Sequence, residues 1–298
     1  MPVLKRHPKN PIIRPEDLPF EAYTVFNAGT ARYKGKILLI LRIETTERKT
    51  VFHVATSDDG VKFKVNKEPI NYPLSRLEKL GNRAHRFDMR ITPLDGTFYV
   101  CHAVWLDPWG SCIAIAKTDD FVDFKQISMS VPSNRNAVLF PEKINGKYVR
   151  LERPQNVDGS GSTWTSESDD LIHWGNPLPV KIPCTDWSNR KNGPGCIPIQ
   201  TKEGWLEIYH AVGRDGHYRL GAMLLDPDDP SRLVARTPDW ILQPEEPYEL
   251  VGYYEGCVFP CGAVALGDTL YVYYGGADAY VGVATCSLSG LVQSMRPA

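Results

Sequence analysis

The sequence predicts an all-β chain folded as a single five-bladed β-propeller. The first observation behind this is a phrase that occurs five times: YKGKILLILR (Tyr33 to Arg42), LDGTFYVCHA (Leu94 to Ala103), INGKYVRLER (Ile144 to Arg153), KEGWLEIYHA (Lys202 to Ala211) and ALGDTLYVYY (Ala265 to Tyr274). In each, a glycine among polar residues relieves a tight turn. The β-branched and aromatic residues after it suit a pleated strand. The second observation is the period. Gly35, Gly96, Gly146, Gly204 and Gly267 are spaced by 61, 50, 58 and 63 residues, the repeat of a propeller blade.

A second phrase closes the blades: ATSDDGVKF (Ala55 to Phe63), AKTDDFVDF (Ala116 to Phe124) and SESDDLIHW (Ser166 to Trp174), with a degenerate copy in LLDPDDPSRL (Leu224 to Leu233). Short acidic side chains bond back to the chain in Asx-type turns, so these Asp pairs read as turn chemistry rather than as catalytic carboxylates. Only LSRLEKL (Leu74 to Leu80) reads as a helix of more than one turn. The Pro-rich segment 1–23 reads as a peripheral arm on a domain that spans 1–298.

Composition limits the function. Lys plus Arg number 34 and Asp plus Glu 35, a net charge of -1 that gives no general pull toward nucleic acid or an anionic membrane. The start, MPVLKRHPKNPII, has no apolar core of a signal peptide, and no uncharged stretch is long enough to span a bilayer. The expectation is a cytoplasmic protein. Seven cysteines, without zinc-type spacing and several in apolar runs, read as buried free thiols.

In a propeller the innermost strands line a central channel. Here they are the segments just before each repeated turn: Val25 to Gly29, Arg86 to Arg90, Asn134 to Lys143, Lys191 to Ile199 and Cys257 to Ala263. Three carry polar residues where a core strand is apolar, and a polar group in such a place needs a reason. Arg42 and Arg153 each lie seven residues beyond a repeated glycine, so they hold equivalent places in blades one and three. With Arg135 and Lys191 on inner segments, four cations converge on one mouth. Such a cluster persists through paired acids, Glu44 being one candidate for Arg42, or because it holds an anion. Asp88, framed by Arg86 and Arg90, is either a structural ion-pair partner or a general acid aimed into the channel.

Several longer segments resemble glycoside hydrolase family 130, the mannoside phosphorylases. They are VFNAGTARYKGKILLILRIE, FDMRITPLDGTFYV, NRNAVLFPEKINGKYVRLERP, ESDDLIHWGN, KNGPGCIPI, GWLEIYHAV and VFPCGAV with YYGGADAYVGVA. The resemblance covers nearly the whole chain. It implies a five-bladed propeller of glycosyltransferase type that cleaves β-mannosides with inorganic phosphate and releases α-mannose 1-phosphate with inversion. It implies Asp88 as the lone catalytic acid in an Asp-x-Arg motif, with Arg42, Arg135, Arg153 and Lys191 as phosphate-binding cations and His210 as a further ligand. Asn27, Glu44, Arg90, Asn136 and Asp278 are implied as sugar-contacting positions. The family usually has Pro after the acid, and this chain has Met89. No cofactor is expected, since phosphate is a co-substrate. Relatives tend to be oligomers, and the sequence leaves the oligomeric state open.

The implied residue set is chemically coherent. An inverting hydrolase needs a second carboxylate as general base for water, whereas phosphate is already an anion that such a carboxylate repels. Arginine forks donate to phosphate oxygens in pairs. A hydrolytic β-mannosidase and a non-catalytic sugar-binding propeller are the alternatives. Tyr72, Trp105, Trp109, Trp164, Trp187 and Tyr280 lie in or near loops, where they either stack on sugar faces or pack between blades.

Overall fold

In the computed structural model, which describes residues 3–298, the repeated glycines close hairpins. Lys34–Gly35, Asp95–Gly96 and Asn145–Gly146 have positive φ at both central positions, the two-residue turn whose twist matches that of the flanking strands. Blade five uses Gly267 at the first central position instead. In blade four the turn is a longer loop over 201–204.

Each hairpin opens a four-stranded antiparallel blade, running outward in chain order. Blade one is Thr24–Tyr33, Lys36–Glu44, Thr50–Ser57 and Lys64–Pro69. Blade two is Arg83–Leu94, Thr97–Asp107, Gly110–Thr118 and Lys125–Met129, and blade three is Asn134–Leu139, Tyr148–Pro154, Trp164–Ser168 and Gly175–Pro179. In blade four the inner strand is broken into Lys191–Pro194 and Ile199–Gln200, followed by Trp205–Val212, Tyr218–Leu225 and Leu233–Arg236. Blade five has Val258–Leu266, Thr269–Gly276 and Tyr280–Ser287.

The outer strand of blade five comes from the other end of the chain. Lys5–Arg6 pairs with Ala284 and Thr285, so the peripheral arm fastens the ring. Arg6 is further held by Glu249 at 2.8 Å. The C-terminal Arg296–Pro297 adds an extra edge strand to blade four.

The acidic pairs act as turn formers. Asp59, Asp120 and Asp170 each accept two backbone N–H groups at 2.8 to 3.0 Å, and Asp226 does the same in blade four. The five cores lie between neighbouring blades. Leu38, Ile40 and Val54 of blade one meet Met89, Ile91 and Val100 of blade two, and comparable clusters fill the other four interfaces. Both faces of each blade are thus covered, which is why the repeated strands read as near-continuous apolar runs.

The predicted helix forms at Arg76–Leu80, where Ser75 and Glu78 make a reciprocal capping box. A second helix, Leu288–Gln293, escaped the sequence reading because it is short and half its face is polar; Ser287 caps it. All seven cysteines are free. Five are buried, Cys286 is half-buried, and Cys184, on a loop, is exposed. No helix among the described residues is long and apolar enough to cross a membrane.

Candidate active site

The inner strands of blades one, two and three share a defect. Pairing with the second strand slips between Phe26 and Gly29, between Phe87 and Arg90, and between Arg135 and Val138. At each bulge the residue after the last regular pair is left-handed: Asn27 (φ 48), Asp88 (φ 59) and Asn136 (φ 57). Left-handed backbone is disfavoured for most L-residues, and Asn and Asp tolerate it best. The bulge re-aims these three side chains, which are all buried, about one point.

Asp88 sits at the centre. Its Oδ1 accepts 2.8 Å from Asn27 Nδ2 and lies 3.5 Å from Arg42 Nη1, and its Oδ2 lies 3.9 Å from Arg135 Nη2. Burial opposes its charge most strongly. The guanidinium groups of Arg42, Arg90 and Arg135, with the Asn27 amide, outweigh it and hold the pKa below the ordinary carboxylate value.

Arg42 pairs with an acid, as one of the two readings of the sequence had it. It stands across the ladder from Phe26, pairs with Glu44 at 3.2 Å, and still reaches Asp88. Glu44 also accepts from Thr50 Oγ1 at 2.7 Å. Arg153 stands across from Arg135, confirming the equivalent register. Arg135 Nε and Arg153 Nη2 each donate 3.0 Å to Asn136 Oδ1.

The cations on blades three and four are under-compensated. Arg153 is 2% exposed and its Nη1 finds no partner within the protein; the same holds for Asn136 Nδ2 and both ring nitrogens of His210. Burial, then repulsion by Arg135, pulls the Arg153 pKa down to about 10. Burial, then Arg153 and Arg135, pulls Lys191 down to about 8. Lys191 lies over the Tyr218 ring at 4.7 Å. His210 is driven well below its usual value by burial and by Arg153, so it is a neutral imidazole. Gly193 lets Arg153 and His210 close in, since a Cβ there would stand 2.8 Å from Arg153 Cδ and 2.9 Å from His210 Cε1.

Asp278, left-handed at φ 50 on blade five, is the mirror case to Asp88. Burial raises its pKa to about 6 despite Arg42, and the Asp88 charge pushes the same way. The Asp278 carboxyl therefore loses its proton as pH rises through about 6. Turnover that needs that proton therefore declines above about pH 6. Asp278→Asn removes the repelling neighbour and moves the decline to lower pH. A kcat/KM profile with an unmoved alkaline limb assigns the proton elsewhere.

Arg86 and Arg90, which frame Asp88 in sequence, part company in the structure. Arg86 flanks Asp88 in sequence but points to the other face of the strand. There it is bound by Glu78 at 2.6 Å and by the carbonyls of Tyr72 and Pro73. Arg90 is fully buried and donates from Nε and Nη1 to backbone carbonyls, while its Nη2 has no partner within the protein. Glu44 shares Arg42 with Asp88, and Asp278 feels the Asp88 charge. Sequence reasoning missed His85, which lies 3.1 Å from Arg42 Nη2 and 3.1 Å from Thr50 Oγ1. The signal was present: His85 alternates with Phe87 on the inner strand.

Above these groups opens a cavity of about 640 Å³ lined by Arg42, Arg83, His85, Phe87, Trp105, Asp107 and Arg135. Trp105 is exposed at this mouth and Trp109 is exposed on the turn after it, whereas Trp187 is a core residue between blades three and four. Tyr72 is occupied by Arg86 and His102.

A family model described as beta-1,4-mannooligosaccharide phosphorylase matches residues 3–297. The chain belongs to glycoside hydrolase family 130. A family 130 relative from Ruminococcus albus, named beta-1,4-mannooligosaccharide phosphorylase, is 33% identical over 99% of this chain and 91% of its own. A 1,2-beta-oligomannan phosphorylase from Thermoanaerobacter sp. is 35% identical over 97% of this chain and 98% of its own. Among solved structures, the Listeria innocua beta-1,2-mannobiose phosphorylase in complex with beta-1,2-mannobiose superposes with a TM-score of 0.88 at 28% identity, covering 98% of each chain.

Proposed function

We propose that this family 130 enzyme transfers the mannosyl group of a β-mannoside to inorganic phosphate, releasing α-mannose 1-phosphate. One observation carries the reading. Buried Arg153 and neutral His210, with half-buried Lys191 beside them, form an under-compensated donor set on blades three and four, and no carboxylate of the mouth stands among them. A dry cationic pocket of this kind is complementary to an anion. A general base for water belongs on that side in a hydrolase, and the three carboxylates Asp88, Glu44 and Asp278 lie with blades one, two and five instead.

In this reading phosphate, held by Arg135, Arg153, Lys191 and His210, attacks C1 as the glycosidic C1–O bond breaks. Asp88 supplies the proton that the departing sugar takes. In the free site the arginines favour ionised Asp88. Bound phosphate engages Arg135 and adds its own negative charge, which favours the protonated acid. The acid form is thus best populated when both substrates are in place. Asn27, Glu44, Asn136 and Asp278 frame the mannosyl ring.

Relatives of similar identity are named for different linkages, so the substrate is assigned here as a β-mannoside, with the linkage an outcome of the assay. The test is a panel of β-1,4- and β-1,2-linked mannobioses and oligomers with and without phosphate. Phosphate consumption matched by α-mannose 1-phosphate is the expected result. Free mannose at an equal rate without phosphate identifies a hydrolase, and saturable binding without turnover a sugar-binding module.

A further inference from the structure

Arg90 lies two residues beyond Asp88 and is completely buried. A guanidinium out of water is costly unless its donors are met. Two of its nitrogens bond the backbone of two blades: Nη1 donates 2.8 Å to the Asp88 carbonyl, and Nε donates 2.7 Å to the Gly195 carbonyl of blade four, while Nη2 has no partner within the protein. Gly195 in turn donates its N–H, at 2.8 Å, to Oε1 of Glu207, a fully buried residue on the second strand of blade four. The break in the blade-four inner strand falls here, between Pro194 and Ile199. A Cβ at position 195 would strike the Ile208 carbonyl and the Pro260 ring, so only glycine brings its carbonyl this close.

We propose that Arg90, Gly195 and Glu207 form a strut across the propeller axis that fixes the left-handed Asp88 peptide, making Arg90 and Glu207 positioning residues for the reaction. The inference rests on Asp88 being the acid. The Asp88 conformation is one that most L-residues resist, so something must hold it. The strut holds the carbonyl side of that peptide while Asn27 holds the carboxylate. Burial raises the Glu207 pKa well above the usual carboxylate range, so its carboxyl is neutral and Gln is a near-isosteric replacement that still accepts from Gly195.

The test measures phosphorolysis by Arg90→Lys, Glu207→Leu, Glu207→Gln and Asp88→Asn, with thermal melting in the presence and absence of phosphate. The expected result for Arg90→Lys and Glu207→Leu is a kcat lowered by about 10- to 100-fold, the scale of a displaced catalytic group. Both KM values stay within about three-fold, because binding groups are untouched. Glu207→Gln stays near wild type, and phosphate still raises the melting temperature of all three. An unchanged kcat in Arg90→Lys overturns the proposal, as does a raised KM at constant kcat, which would make Arg90 a ligand of the substrate. Should Arg90→Lys fail to fold, the Glu207 pair decides, since equal activities for Gln and Leu overturn the strut. Turnover that survives in Asp88→Asn defeats the reading of the acid instead. An inactive Asp88→Asn beside a wild-type Arg90→Lys defeats the strut alone.

Discussion

Asp88→Asn lowers kcat by at least about 10²-fold, the usual contribution of one positioned general acid. The substitution is a clean probe for a structural reason. Position 88 is left-handed, and asparagine occupies that conformation at Asn27 and Asn136 in the same repeat. The bulge is therefore kept, where alanine would add backbone strain to the loss of the proton. The KM for phosphate changes little, since Arg153 and Lys191 do not touch the carboxylate. Turnover within a few-fold of wild type would remove Asp88 from the mechanism.

Arg153→Met separates binding from stability. It raises the phosphate KM by about 10- to 100-fold, equivalent to charge-assisted hydrogen bonds worth about 1.5–3 kcal/mol, and leaves sugar affinity nearly unchanged. The ligand-free protein, in contrast, keeps or gains thermal stability. Arg153 is a buried cation whose one good acceptor, Asn136 Oδ1, is also served by Arg135. Replacing an under-compensated buried charge by an apolar chain of similar length removes a desolvation penalty. Phosphate then no longer raises the melting temperature as it does for the wild type, because ligand stabilisation follows affinity. Loss of stability together with equal weakening of sugar and phosphate would show a structural residue. Arg135→Ala and Lys191→Ala follow the same pattern: each raises the phosphate requirement more than it weakens the sugar.

What the chain disclosed before its structure was known divides by the range of the interaction. The blades were legible because Gly35, Gly96, Gly146 and Gly267 sit in turns that need positive φ, a strictly local demand. The equivalence of Arg42 and Arg153 was legible because hairpin register counts outward from those turns. The common bulge at Asn27, Asp88 and Asn136 was not read. Its pattern, FNAG, FDMR and RNAV, is visible in the sequence only once the slip in pairing is known. The opposite fates of Arg86 and Arg90 were hidden for the same reason. One inserted residue carries Arg90 inward, while Arg86 goes to Glu78, whose position depends on a capped helix eight residues earlier. Gly195 read only as part of the inner segment Lys191 to Ile199. Its contacts with Arg90 and Glu207 join blades two and four, and no local pattern encodes a contact across the ring.

The pairing of Lys5–Arg6 with Ala284 and Thr285 has a consequence for how the molecule is made. A growing chain can stack blade upon blade as each hairpin emerges, yet its fifth sheet lacks an edge until the earliest residues come back to it. Closing so long a loop adds little to the equilibrium cost, which grows only with the logarithm of length, but it delays the step that needs it. Until that latch engages, the fifth blade lacks its outer strand, so ring closure is a late event in folding.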